Sequence, residues 1–247
     1  MKDKINNPAV LFWDLEISLG INFDASLSTL FCFGHMYKDW KKAKVLKLSD
    51  YPGYSKTPWD DYKLVKDVRD ILEEADEWVY WFGDRFDWPY INTKLLLHNL
   101  PPLPVKQRND MWRTAKEKFK LRNNRLDTFA GALAGHGKAS HDLQDWKKAS
   151  GGNKPALKRI ADYCAVDVEL MIPIYDKFKP YNDRTINLSL FNDDILVCPK
   201  CGSDKLRHKG YRYTAHSKFK RWHCKGCGYY PTSRCMEKQN KETVKLK

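Results

Sequence analysis

The chain has 247 residues, 42% of them hydrophobic, and a formal net charge of +13. That length accommodates one sizeable α/β domain and a small appendage. No run approaches about 18 consecutive apolar residues, and the start, MKDKINNPAV, lacks an apolar signal core, which argues against a membrane partner and for a soluble, cytoplasmic protein.

In chain order, residues 9–17 (AVLFWDLEI) are apolar on both alternating faces, as a central strand covered on both sides requires. Residues 29–37 and 43–48 read as two further strands of an antiparallel meander. Residues 51–58, with two prolines and a glycine, read as a loop. Tyr62, Val65, Val68, Ile71 and Leu72 share one side of a predicted amphipathic helix over 60–75. A short buried strand follows at 78–82, stopped by Gly83. A helix opens at Pro89 and runs to about His98. Helices are expected over 110–119 and 125–134, and a polar loop over 135–152. A long helix begins at Pro155, with Leu157, Ile160, Ala161, Cys164, Val168, Met171, Ile172 and Tyr175 on one stripe. Pro173 lies inside that stripe and is expected to bend or end the helix. Strands first, then helix–strand–helix, then helices, predict an α/β domain with a mixed sheet over 1–182. A linker at 183–197, a cysteine-rich module at 198–235 and a basic tail at 236–247 complete the chain.

Asp14 and Glu16 are two apart on the first strand, so both side chains leave the same face. Buried carboxylates need a cation or a partner, and the next Lys or Arg in sequence is Lys38. Either a metal ion joins them, or the strand ends there and both face water. Asp87 stands at a helix mouth, where an N-cap is the alternative. Tyr163 and Asp167, at i and i+4, share a helix face at the edge of the apolar stripe.

With D-x-E at Asp14 and Glu16, FDxPY at Phe86 to Tyr90 and Y-x3-D at Tyr163 and Asp167, the chain resembles the DEDD superfamily of 3′–5′ exonucleases, in its tyrosine (DEDDy) variant. More closely, it resembles stand-alone exonucleases, several of them phage-encoded, related to the proofreading domain of family-B DNA polymerases. The similarity runs over roughly residues 9–181. It implies a ribonuclease-H-like mixed β-sheet flanked by helices. It also implies two Mg²⁺ or Mn²⁺ ions held by Asp14, Glu16, Asp87 and Asp167, with Tyr163 orienting the attacking water. The implied activity releases nucleoside 5′-monophosphates from a 3′ end, single-stranded DNA being favoured, in proofreading or end-processing beside a replicative polymerase in a bacterium or phage-infected host. RNA 3′-end trimming, or a catalytically inactive replisome adaptor, are the alternatives. One departure is that Phe82 stands before Gly83 where the family often carries Asn; Asp84 is the candidate substitute.

From Cys198 onward, 14 Lys and Arg face 3 Asp and Glu, leaving the first 197 residues at only +2. Cys198, Cys201, Cys224 and Cys227 form two C-x2-C-G turns separated by 22 residues and resemble a zinc ribbon, a closed structural Zn²⁺ site. Cys32 and Cys164 lie in apolar runs and read as core thiols; Cys235 is unassigned. Arg207, Lys209, Arg212, Lys218, Lys220 and Arg221 interleave with aromatics including Trp222, the ingredients of single-strand binding. The alternatives are aromatics that pack the ribbon, or a surface that docks a protein.

Overall fold

The computed structural model describes residues 8–19, 24–135, 142–191 and 195–233. Cys235 and the basic tail fall outside them. The chain divides into two compact units, Pro8–Phe178 and a second one made chiefly by the chain from Lys179 onward. Among the described residues no helix is long and apolar enough to cross a membrane.

The first unit is built on a five-stranded mixed sheet in the order β3-β2-β1-β4-β5. β1 (Val10–Ile17), β2 (Leu30–Tyr37) and β3 (Lys44–Lys47) form the expected antiparallel meander. β4 (Glu77–Tyr80) runs parallel to β1, and β5 (Gln107–Asp110) parallel to β4. β1 is apolar on both faces because both faces are covered. Leu11, Trp13 and Leu15 pack in one core with Leu64, Val65, Val68 and Leu72 of α1 (Tyr62–Glu74) and Ile91 and Leu95 of α2 (Asp87–Leu97). Phe12 points the other way, with Val79, into a core made by α3 (Met111–Lys118), α4 (Leu126–Ala134) and the C-terminal half of α6 (Lys154–Phe178).

α2 is fastened from behind by a buried charge. Asp61, just ahead of α1, does not cap that helix; its carboxylate instead accepts from the Leu30 amide at 2.7 Å, Lys94 Nζ at 2.8 Å and His98 Nε2 at 2.7 Å. Lys94 also donates to the Ser28 carbonyl at 2.6 Å. A carboxylate buried this deeply is tolerable only because each oxygen is bonded to a donor. The network ties the start of β2 to the helix that carries Asp87.

The structure departs from the sequence expectations in three places. β5 reads QRND, with no apolar alternation to reveal it. Its buried polar residues are satisfied one by one, Asn109 Nδ2 donating to Glu77 Oε1 at 2.8 Å. Within the expected loop over 135–152, residues Leu143–Ser150 form α5, capped by Asp142, which accepts from the Gln144 amide at 2.9 Å, and anchored by buried Trp146 and Ala149. Pro173 does not end α6, which continues to Phe178. The backbone bond that proline deletes is offset by Ile174, Tyr175 and Phe178, all buried in the second core.

The second unit contains a two-stranded antiparallel hairpin, β6 (Leu206–Tyr213) and β7 (Lys218–Cys224). Among its described residues, Val197, Cys198, Cys224 and Pro231 are the buried apolar side chains. So small a core does not hold a fold by burial alone.

Candidate active site

Asp14 and Glu16 lie on the face of β1 that meets α6. Across the strand pair, Asp14 faces Gly34 and Glu16 faces Cys32. Gly34 is what lets α6 come close. A Cβ there would sit 2.7 Å from Cys164 Sγ and 3.2 Å from the Cys164 carbonyl. Because α6 lies against the sheet here, Asp167 reaches the strand acids, and ligand oxygens of Asp14, Glu16 and Asp167 all lie within 4.8 Å of one another. Ionised carboxylates at that separation repel by about 3–4 kcal/mol per pair at an effective dielectric near 20. A divalent cation removes that cost, and oxygen-only ligands suit a hard ion. The cluster therefore fits metal binding.

Asp87 approaches from the other edge of β1. β4 pairs with β1 only over Val10–Phe12, so the Leu15 amide is left for Asp87 Oδ1, which accepts from it at 3.2 Å. The fourth acid thus sits between Asp14 and Glu16 along the strand, although outside the tight three-residue group. It is the first residue of α2 rather than its cap, and it is only 3% exposed. Burial pushes its carboxyl up to about 7, with a smaller contribution from the charge of Asp110. Tyr163, one turn before Asp167 on α6, is half-buried, its ring edge-on to Trp146 at 6.0 Å.

Two thiols flank the acids. Cys164 Sγ lies 3.6 Å from the Asp14 carbonyl and 3.8 Å from Asp14 Oδ2. A hydrogen bond with Cys32, burial and the nearby charges of Asp14 and Glu16 hold the Cys164 thiol well above its ordinary value, so it stays protonated and inert. Both cysteines are buried core thiols.

Gly34→Ala is expected to lower activity well below the melting temperature and to destabilise the protein by about 1–3 kcal/mol, the usual cost of overpacking. The added methyl meets Cys164 Sγ at 2.7 Å, Val168 Cγ2 at 3.0 Å and the Cys164 carbonyl at 3.2 Å, and the backbone carbonyl cannot swing aside as a side chain can, so the helix bearing Tyr163 and Asp167 has to move. Thermal melts and nuclease assays on the same preparation check this; a variant with native activity would show that the spacing between β2 and α6 is not critical.

The loop between β4 and α2 is held by a residue whose importance the sequence did not signal. Asp110, buried at the end of β5, accepts from the amides of Phe82 at 2.9 Å, Asp84 at 3.2 Å and Trp112 at 3.0 Å. Its one visible signal is an N-cap position ahead of α3. Asp84 is itself engaged, accepting from Tyr80 OH at 2.8 Å and pairing with Arg113 at 2.9 Å and Arg108 at 3.4 Å. It anchors the loop rather than offering a substrate contact. Beside α2, Arg85, Phe86, Pro89, Tyr90 and Thr93, with Asp24 and Ala25, line an open cavity of about 410 Å³.

In the second unit the four cysteines converge, their sulfurs all within 4.8 Å of one another. Cys198 and Cys227 Sγ are 3.7 Å apart, and Cys201 and Cys224 Sγ 3.6 Å. A tetrahedron with metal–sulfur bonds of about 2.3 Å has edges of about 3.8 Å, so the group fits a four-thiolate ion. The two turns repeat one geometry. Gly202 and Gly228 each adopt positive φ and donate to the carbonyl of the first cysteine of their turn at 2.9 Å.

The hairpin register sorts the seven predicted ribbon contacts. Residues directly opposite share a face. Tyr211 faces Lys220, Tyr213 faces Lys218 and His208 faces Trp222, giving one face of Lys218, Lys220, Trp222 and three further rings. Lys218 Nζ sits 3.8 Å from the Tyr211 ring centre. Arg207 opposite His223 and Arg212 opposite Phe219 define the other face, which Arg221 shares by alternation; Arg221 Nε donates to the Lys209 carbonyl at 3.1 Å. Lys209 lies in the bulge between His208 and Tyr211. The structure thus splits one apparent basic patch into two.

A five-stranded mixed sheet with carboxylates gathered on its first strand and last long helix defines a nuclease-type α/β domain. The family model of the RNase_H superfamily matches residues 11–179, and the chain belongs to that superfamily. Among solved structures, the family B DNA polymerase from the hyperthermophilic archaeon Pyrobaculum calidifontis is similar, with a TM-score of 0.58 and 16% identity. The match covers 70% of this chain but 25% of the polymerase, and at that identity it is a likeness of fold. No curated protein matches the chain.

Proposed function

We propose that the protein is a metal-dependent 3′–5′ exonuclease that removes nucleoside 5′-monophosphates from single-stranded 3′ ends, with DNA the favoured substrate. The observation that carries this reading is the meeting of Asp14, Glu16 and Asp167 within 4.8 Å, with Asp87 held against the strand between the first two. Two Mg²⁺ or Mn²⁺ ions, when bound, supply Lewis acidity for both the attacking and the leaving oxygen. Asp14, Glu16, Asp87 and Asp167 are the residues that would hold them. Tyr163 orients the attacking water through its hydroxyl. Water adds to the terminal phosphorus as the bond to the penultimate 3′ oxygen breaks. That oxygen leaves as a hydroxyl, and the terminal nucleotide departs with the phosphate. The DNA preference draws on the polymerase likeness, where such a fold sits in a protein that handles DNA.

The four cysteines are proposed to hold a structural Zn²⁺. The hairpin face of Lys218, Lys220 and Trp222, with Tyr211 and Tyr213, is the better candidate for gripping a single strand, because it interleaves cations with rings. Arg207, Arg212 and Arg221 serve as phosphate contacts on the opposite face, with Lys209 between them.

The test is digestion of end-labelled single- and double-stranded DNA and RNA with Mg²⁺, comparing wild type with Asp167→Ala. The expected result is a ladder shortening from the 3′ end, abolished by the substitution. Endonucleolytic products, or equal activity in the variant, count against the reading.

A further inference from the structure

Phe82 has φ of 69°, in the left-handed region, where a bulky side chain is strained. Three features hold it there. Gly83 cannot be replaced by a residue that would relax the turn, since a Cβ would lie 2.5 Å from the Tyr80 ring. Asp110 Oδ1 accepts from the Phe82 amide and, with the same oxygen, from the Trp112 amide. Oδ2 takes the Asp84 amide, closing the clamp.

The strain does not serve packing, for the Phe82 ring is 38% exposed. It stands edge-on to Trp112, with ring centres 4.8 Å apart at 75°. Trp112 is in turn flanked by Lys116 Nζ at 5.0 Å and the Arg85 guanidinium at 5.8 Å from its ring centre. Arg85 also lines the open cavity beside α2, and Asp87 lies two residues further along the chain. A rigid pair of aromatic edges, one oxygen fixing both backbones, and two cations within reach match what an unpaired nucleobase and its phosphate require.

We infer that Phe82 and Trp112, with Arg85 and Lys116, form a stacking platform for an unpaired base of the substrate strand, close to the bond that is cut. The platform rests on the exonuclease reading and adds the means by which that site selects single strands. A paired base, stacked on both sides within a duplex, has no free face to offer. Phe82 therefore does by stacking what a polar side chain at its position would do by hydrogen bonding.

The strain makes the test discriminating. Phe82→Asn places at this φ a residue that tolerates it, so the variant is expected to melt about 2–4 °C higher than wild type. Its KM for a single-stranded oligonucleotide is expected to rise about 5- to 50-fold, with kcat changed less than about twofold, whereas Phe82→Tyr keeps the wild-type KM. The decisive arm moves an abasic residue through the last few positions of the strand. One position should cost the wild type about the same factor in KM and cost Phe82→Asn nothing. Equal penalties in both proteins, or an unchanged KM in Phe82→Asn, overturn the platform. If the wild type digests no substrate, it is the exonuclease reading that fails. The same abasic scan, read as oligonucleotide binding in EDTA, then decides the platform by itself.

Discussion

Asp87→Asn is expected to abolish metal-dependent nuclease activity and at the same time raise the melting temperature of the metal-free protein at pH 8. Both effects follow from where the carboxyl sits. It is nearly inaccessible, at 3% exposure, and accepts from the Leu15 amide at 3.2 Å. Burial lifts its folded pKa to about 7 from an ordinary value of 3.8. The folded state therefore holds a proton that the unfolded chain has already lost, and stability conferred by that proton is full below about pH 4. It declines as pH rises through about 7, because in that window the folded state binds more protons. Well above pH 7 the deficit is on the order of 4 kcal/mol. Asparagine keeps an oxygen for the Leu15 amide and has no charge to bury. Melts in EDTA should thus show the variant several degrees above wild type at pH 8 and level with it near pH 4. Adding Mn²⁺ should stabilise the wild type more than the variant. A variant less stable than wild type at pH 8 would mean that the buried charge is compensated within the protein itself.

Removal of the Zn²⁺ proposed for the four cysteines is expected to unfold the hairpin of the second unit while the sheet domain keeps its own transition. The buried apolar side chains described in that unit, Val197, Cys198, Cys224 and Pro231, are too few to offset the conformational entropy of ordering it. A structural zinc ion contributes about 10–16 kcal/mol in small domains of this kind, far more than any other interaction available here. The expected observations are one zinc per chain and Cys201→Ser protein whose hairpin is cut by trypsin at β6 and β7. Amide exchange should become rapid across Leu206–Tyr213 and Lys218–Cys224 after a zinc-selective chelator, with Mg²⁺ kept in excess for the acid cluster. Continued protection of those amides without metal would show that the hairpin holds itself together.

The two candidate metal sites were legible in the sequence to different degrees. Two C-x2-C-G turns encode their own geometry, because each turn closes through a local bond from its glycine to its first cysteine. Little else has to be known. The acid cluster is assembled from a strand and two helices far apart in the chain, so its residues were recognisable by order and spacing, while their meeting depends on packing. That β1 is central and apolar on both faces was readable from its composition. β5 was not, since a strand of QRND hides its buried polar pair inside hydrogen bonds to Glu77 and to the loop that follows β4. α5 announced itself only by Asp142 and the Trp146–Ala149 spacing, too short a signal beside the polar residues around it.

What the amino-acid order determined by itself is local: the alternation of β1 that sends Asp14 and Glu16 to one face, the one-turn spacing of Tyr163 and Asp167, and the cysteine turns. Each depends on backbone period or on a bond within a few residues. What only the tertiary structure decided is every relation across elements. The missing side chain of Gly34 admits α6, and the early parting of β4 from β1 frees the Leu15 amide for Asp87. The bulge in β6 brings Arg207 and Arg212 onto one face of the hairpin, and Asp110 pins Phe82 into a backbone conformation its own chemistry disfavours. Those relations arise from close packing and from satisfying buried polar groups, which are set by partners distant in sequence and leave no period to read.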